Sequence, residues 1–153
     1  GGAATQYLFR GHGGVSGYIE TFRKAVSPSE LDHLGHMNVQ YYFAAIGSAI
    51  TSFQIGLGLT PTDMREGRRL AFVVVHGENN FKAELKAGDV IKMETGVSEI
   101  ANKTVTSHHR LFKVESDTLS FDTHFKCMLM NLDTRRAVEI PDDIRSKLET
   151  YRV

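Results

Sequence analysis

Between Asn38 and Thr62 no side chain carries a charge, and this stretch limits the folds open to the chain more than any other feature. It is long enough to cross a bilayer. Yet it holds Gln40, Gln54, Ser48, Ser52, Thr51, Tyr41, Tyr42 and several glycines, and Pro61 closes it. A lipid-facing helix would be richer in Leu, Ile and Val. A helix that is apolar nearly all round can also be the buried centre of a globular fold, and the stretch is read as that, with no membrane span. Asn38 suits its N-cap, because an Asn side chain can accept from the free N–H groups of a first turn. Gly56 and Gly58 stop the helix near Ile55.

What flanks the helix is β-forming. Gly17 to Val26 is rich in Tyr, Ile, Thr, Phe and Val, and Pro28 ends it, so a first strand is predicted there. A polar loop is expected over Thr62 to Arg69. The continuous apolar run Ala71 to Val75 has the pattern of a strand covered on both faces. Three further strands are predicted over Val90–Ile100, Lys103–Val114 and Leu119–Leu132, joined by turns at Ala101-Asn102 and Ser116-Asp117. In the last of them Phe121, Phe125, Cys127 and Leu129 alternate with Asp122, His124 and Lys126. Pro141 opens a short C-terminal helix over Asp142 to Tyr151. One strand, one long helix and four strands make an α+β domain with a five-stranded antiparallel sheet around one helix. The single domain is expected over residues 15–153, preceded at 1–14 by a Gly-rich leader or flexible extension that lacks the marks of a signal peptide.

Charge narrows the function classes. Eighteen basic and eighteen acidic residues cancel, so no overall field recruits nucleic acid or an anionic membrane, and neither is expected as a partner. The lone cysteine, Cys127, excludes an internal disulfide and agrees with a reducing, cytoplasmic setting. Its apolar neighbours suggest a buried structural thiol.

The informative segment is Leu31-Asp32-His33-Leu34-Gly35-His36-Met37-Asn38-Val39-Gln40-Tyr41-Tyr42. An Asp, two residues, Gly, then His-Met-Asn and an aromatic on the opening turn of a central helix resembles the signature of the 4-hydroxybenzoyl-CoA thioesterase family of hotdog enzymes. The order of strand, helix and strands matches the hotdog plan. Glu84-Leu85-Lys86-Ala87-Gly88-Asp89 matches a second family feature, in which Gly-Asp follows an acidic or apolar residue. The resemblance extends more loosely from Val15 to Pro141. It implies an acyl-CoA thioesterase with coenzyme A as part of the substrate, no separate cofactor, no metal, and a homodimer or dimer of dimers.

The chemistry suits that placement. Thioester hydrolysis needs a nucleophile or base and a donor to hold negative charge on the carbonyl oxygen. A helix N-terminus offers unpaired N–H groups and a partial positive end. By resemblance, the Val39 backbone N–H forms the oxyanion hole. Asp32, just upstream, would attack the thioester carbon or activate a water. The bland alternative for Asp32 is a turn or capping carboxylate. His36 and Asn38 join the candidate catalytic set, although both suit loop ordering equally. Asp32, His33 and His36 have a spacing that could hold a metal, but no third neutral ligand is evident. A branch of hotdog enzymes uses a helix Glu instead, and this helix bears none.

Coenzyme A phosphates call for basic residues at the entrance. Where the family has a basic run after the third strand, only Lys103 matches, with Ala101 and Asn102 in place of basic residues. Arg68, Arg69 and Arg110 are possible substitutes or plain surface charges. Tyr41 and Tyr42 are expected to line the substrate site. Lys103 to Asp133 resembles thioesterases of carnitine breakdown, which act on betainyl-CoA. A quaternary ammonium favours aromatic faces, and Tyr41, Tyr42, Phe43, Phe72 and Phe81 are candidates, unless they merely fill the core. Two rival functions are a hotdog enoyl-CoA hydratase and a non-catalytic acyl-CoA-binding module. The hydratase motif places Asp and His five apart, whereas Asp32 and His36 are four apart. Binding modules usually carry a DNA-binding segment, for which this chain has no basic patch.

Overall fold

The computed structural model describes residues 17–153. In chain order it contains β1 (Ile19–Ala25), a 3-10 turn at Pro28–Glu30, α1 (Val39–Gly56), α2 (Pro61–Glu66), β2 (Leu70–Phe81), β3 (Val90–Ile100), β4 (Thr104–Lys113), β5 (Thr118–Asn131), β6 (Arg136–Ala137) and α3 (Asp142–Thr150). The leader expected over residues 1–14 lies outside the described residues. The long strands form one antiparallel sheet in the order β1-β3-β4-β5-β2, and β6 adds a short rung to β5. One face of this curled sheet carries α1, which is the hotdog arrangement.

Helix α1 begins as the sequence predicts: Asn38 has extended backbone and its side chain accepts from the Gln40 N–H at 3.1 Å. Its burial differs from the expectation. Tyr42, Ala45, Ile46, Ala49 and Phe53 are buried at helical spacing, while Val39, Phe43 and Ile55 are exposed. The helix therefore buries one stripe and leaves an uncharged outer face, because the sheet covers only one side of it. The stripe belongs to a core with Ile91, Met93 and Val97 of β3, Leu111 of β4, and Phe121 and Leu129 of β5. Burying side chains of this size contributes about 1.5–3 kcal/mol each. No described helix is long and apolar enough to cross a membrane.

Two more expectations are corrected. The polar loop over Thr62–Arg69 starts as a helix, α2: Thr60 caps it by accepting from the Asp63 N–H at 3.0 Å, with Pro61 at its first position. The strand predicted over Ala71–Val75 runs on to Phe81, and it is not covered on both faces. It is an edge strand, and Val74, Val75 and Phe81 are about half exposed, at 48%, 53% and 54%.

The Gly88-Asp89 pair has a structural task. Gly88 takes a φ of 89°, Asp89 accepts the Lys86 N–H at 2.9 Å, and its carbonyl accepts from Val26 N–H at 2.8 Å. This ties the start of β3 to the end of β1 and fixes where the following connector leaves the sheet.

Candidate active site

The connector between β1 and α1 is held at both ends. Ser27 and Glu30 form a reciprocal capping box, and Lys24 bonds the Glu30 carboxylate. Met37 N–H donates to Leu85 O at 2.7 Å and Asn38 N–H to Glu30 O at 2.8 Å. Between these anchors Leu31 and Met37 pair as a single β-bridge, and Asp32 N–H donates to His36 O at 2.8 Å. The turn closes on Gly35, whose φ of 81° suits glycine and strains other residues.

Inside this turn the Asp32 carboxylate is fixed through one oxygen. Its Oδ1 accepts from Leu34 N–H at 2.9 Å and from His36 N–H at 3.3 Å. The Leu34 amide is the main reason its pKa lies below the usual carboxylate value, against an opposing desolvation. The His36 amide and the two neighbouring histidines add to the lowering. The carboxylate is thus ionised at neutral pH, and Oδ2 is left for a substrate or water.

Helix α1 supplies the second element. Its first-turn amides are partly spent: Gln40 N–H on Asn38 Oδ1 and Tyr41 N–H on Asn38 O. The Val39 N–H meets no acceptor among the described residues, as expected of a first helical position. Asp32, His36, Met37, Val39 and Tyr42 form one wall of a cleft of about 420 Å³, and Phe81, Lys82, Ala83 and Glu84 form the other. Tyr42 meets Phe81 edge to face at 5.2 Å, and both rest on Phe121. His36 Nε2 lies 2.9 Å from Glu84 Oε2, across the cleft.

Of the residues singled out in the sequence, Asp32, His36, Val39, Tyr42 and Phe81 therefore meet in one cleft. Asn38 borders it but is occupied as the helix cap. Tyr41 turns toward the core edge, where it is half-buried, and Phe43 sits on the exposed helix face. Lys103 is not brought to the cleft of its own chain. Phe81 pairs with Phe121, whereas Thr104, next to Lys103, pairs with Met128 seven residues further along β5. At 3.3 Å per strand residue that separates them by roughly 23 Å. The other arginines are engaged elsewhere: Arg68 with Asp143, Arg69 with Asp133, and Arg110 with Glu94 and the Tyr18 ring. Sequence reasoning missed Lys82 and the role of Glu84. The signal for both was their position just ahead of the Gly88-Asp89 turn.

Residues 26–148 match the family described as the thioesterase-like superfamily. The chain belongs to that family. A curated relative, the L-carnitine dehydrogenase/betainyl-CoA thioesterase of Agrobacterium fabrum, is 28% identical over 123 residues, which is 78% of this chain and 24% of the relative. This thioesterase-family chain thus spans about a quarter of that protein. Among solved structures, a Staphylococcus aureus protein in complex with CoA superposes with a TM-score of 0.79 at 22% identity, covering 86% of this chain and 83% of that one. The 1,4-dihydroxy-2-naphthoyl-CoA thioesterase of Synechocystis gives 0.74 at 15% identity, covering 86% and 96%. A probable thioesterase from Escherichia coli gives 0.71 at 19% identity, covering 86% and 98%. These likenesses establish the hotdog fold. The hydratase and ligand-binding readings gain nothing from them.

Proposed function

We propose that this chain is an acyl-CoA thioesterase that releases coenzyme A thiol and a free acid, with Asp32 as its catalytic carboxylate. The observation that carries this reading is the meeting of an ionised Asp32 and the unclaimed Val39 N–H in one cleft of a thioesterase-family fold. The thioester carbonyl oxygen accepts from Val39 N–H, at the positive end of α1, where negative charge develops as the carbon becomes tetrahedral. Asp32 then attacks that carbon to give a mixed anhydride, which water opens, or it takes a proton from the attacking water. In both routes the C–S bond breaks, the electron pair leaves on sulfur, and one proton ends on the thiolate. We assign delivery of that proton to His36, which lines the cleft with its Nε2 2.9 Å from Glu84. Release of free thiol from an acyl-CoA panel, with wild type and Asp32→Asn, tests the reading.

For the acyl group, Tyr42 and Phe81 offer aromatic surface and Glu84 a negative charge, which suits a small acyl chain ending in a quaternary ammonium. This agrees with the betainyl-CoA named for the Agrobacterium relative. Betainyl-CoA and its carbon isostere 3,3-dimethylbutyryl-CoA differ only in charge. A cation–π contribution of about 1 kcal/mol makes the charged ester about fivefold better in kcat/KM. Equal values for the two esters remove the ammonium assignment and leave thioester hydrolysis intact.

The partner we infer is a second copy, in a homodimer or dimer of dimers, in the reducing cytoplasm that suits a lone thiol. The edge strand β2 presents unpaired backbone groups with Val74 and Val75 outward, and pairing it with another β2 satisfies both.

A further inference from the structure

The sheet face turned away from α1 holds a second cluster of chemistry-bearing side chains. On β4 and β5, residues 109 and 111 and residues 121, 123 and 125 point into the core, so His108, Asp122 and His124 point outward. His108 and His124 are cross-strand neighbours whose rings stack at 4.1 Å, 4° from parallel. His108 Nε2 lies 2.9 Å from Asp122 Oδ2, and Tyr18 Oη lies 2.7 Å from His108 Nδ1. One donor atom from each of His108, Asp122 and His124 falls within 4.8 Å of the others. Hydrogen bonding accounts for His108 and for Asp122 Oδ2, while Asp122 Oδ1 is buried with the Asn80 side chain beside it and no hydrogen bond of good geometry. A buried carboxylate oxygen so weakly satisfied calls for an explanation.

We propose that His108, Asp122 and His124 bind one divalent transition-metal ion of the zinc, nickel or copper class. Two imidazoles and one carboxylate favour such borderline ions over magnesium or calcium, which take all-oxygen sites. If His108 ligates through Nε2, its Nδ1–H is left to donate to the Tyr18 hydroxyl already beside it. Metal-bound histidines nearly always have such an outer partner. Two cations stand near the cluster and are themselves placed by other groups or strands: Arg110, the cross-strand neighbour of Asp122, stacks on Tyr18 at 3.5 Å and pairs with Glu94, and the charge of Lys82 reaches Asp122.

Coordination requires one movement. Lone pairs of parallel stacked rings run side by side and do not converge, so His124 must turn off the stack. It borders an open groove of about 320 Å³ with His76, Glu78, Thr106 and Lys126, which gives the ring room. Glu78, cross-strand from His124 on the other side, is the nearest further carboxylate of that groove. The ion enters from this open face, opposite the side of the sheet on which Phe121 supports the thioester cleft.

Calorimetry and thermal melting of the full chain with ZnCl2, NiCl2 and MgCl2 test the site. The expected result is one Zn2+ or Ni2+ per chain, a melting temperature that rises with free ion, and no response to Mg2+. His124→Ala and Asp122→Asn each weaken binding by about tenfold or more, and Tyr18→Phe by about tenfold. His36→Ala, which alters the His-carboxylate pair of the thioester cleft, leaves it unchanged. Absence of saturable binding overturns the proposal, as does binding that survives His124→Ala or that disappears with His36→Ala. Should Asp122→Asn fail to fold, the half-exposed His124→Ala decides alone.

Discussion

Asp32 is where the structural and catalytic accounts of this sequence touch the same atoms. Its Oδ1 closes the turn, and its Oδ2 meets no donor among the described residues, so the structural role and the proposed catalytic role use different oxygens. Because the folded carboxylate has its pKa below 3.8, the reactive ionised form persists to lower pH than for an ordinary Asp. The acid limb of kcat/KM, which reports the free enzyme, is therefore expected below the ordinary Asp value. A limb about one unit or more above it would assign the essential base to another group. Lys82 is the cation lining the cleft, while Lys103 sits roughly 23 Å away along the strands. Lys82→Ala is expected to raise KM at low salt with kcat nearly unchanged, since a phosphate contact exists in ground and transition states alike. An unaltered KM at low ionic strength would make Lys82 a bystander.

At the scale of elements, a buried polar thread joins β1, β3 and β4. His109 is fully buried, with Nδ1 2.8 Å from Thr95 Oγ1 and Nε2 2.9 Å from Ser107 Oγ, and Thr95 Oγ1 lies 2.8 Å from Thr21 Oγ1. Burial, aided by His108 and His124, pushes its pKa down to about 3. The neutral form is native, so its contribution is complete above the unfolded value of 6.5 and is lost as pH falls toward 3. Each pH unit in that window costs up to about 1.4 kcal/mol. Urea unfolding at a series of pH values checks this, and His109→Gln should flatten the slope between pH 6.5 and 3. The thread was invisible in the sequence, where His108-His109-Arg110 is one polar run and only strand alternation decides which histidine turns inward. The strands themselves were legible, because period-two patterning and turn residues mark β3, β4 and β5 within a residue or two. Helix α2 was missed although Thr60, Pro61 and Asp63 spell its capping signal, since a six-residue helix has no apolar stripe to reveal it.

For the whole molecule, the main discrepancy between sequence and structure is one of exposure. Ala71–Val75 reads as doubly covered and α1 as apolar all round, yet Val74, Val75, Phe43 and Ile55 are exposed. Sequence patterns record every surface that becomes covered, including surfaces covered by another chain. A dimer paired through β2 is therefore expected by sedimentation velocity at micromolar concentration, and Val74→Lys with Val75→Lys should yield the monomer. A wild-type chain that sediments only as a monomer ends that expectation. Half of the candidate site was legible for a different reason. Asp32, His36, Val39 and Tyr42 lie within one connector and one helix turn, so local sequence places them together. Phe81, named in the sequence only as one of several aromatics, reaches the cleft through the pairing of β2 with β5, and Lys82 and Glu84 reach it through long-range backbone bonds, Lys82 and Ala83 N–H to Ser120 O and Met37 N–H to Leu85 O. The most direct measurement of the central claim is steady-state release of free thiol from betainyl-CoA and other short acyl-CoA esters, by wild type and by Asp32→Asn. Asn keeps a carbonyl oxygen for the Leu34 and His36 amides but is neither nucleophile nor base. Wild type is expected to turn over at least one ester, and the folded Asn variant to lose about a thousandfold or more in kcat, roughly 4 kcal/mol of transition-state stabilisation, with KM little changed. A folded Asn variant that keeps more than about a tenth of wild-type turnover, a loss below about 1.4 kcal/mol, would contradict it.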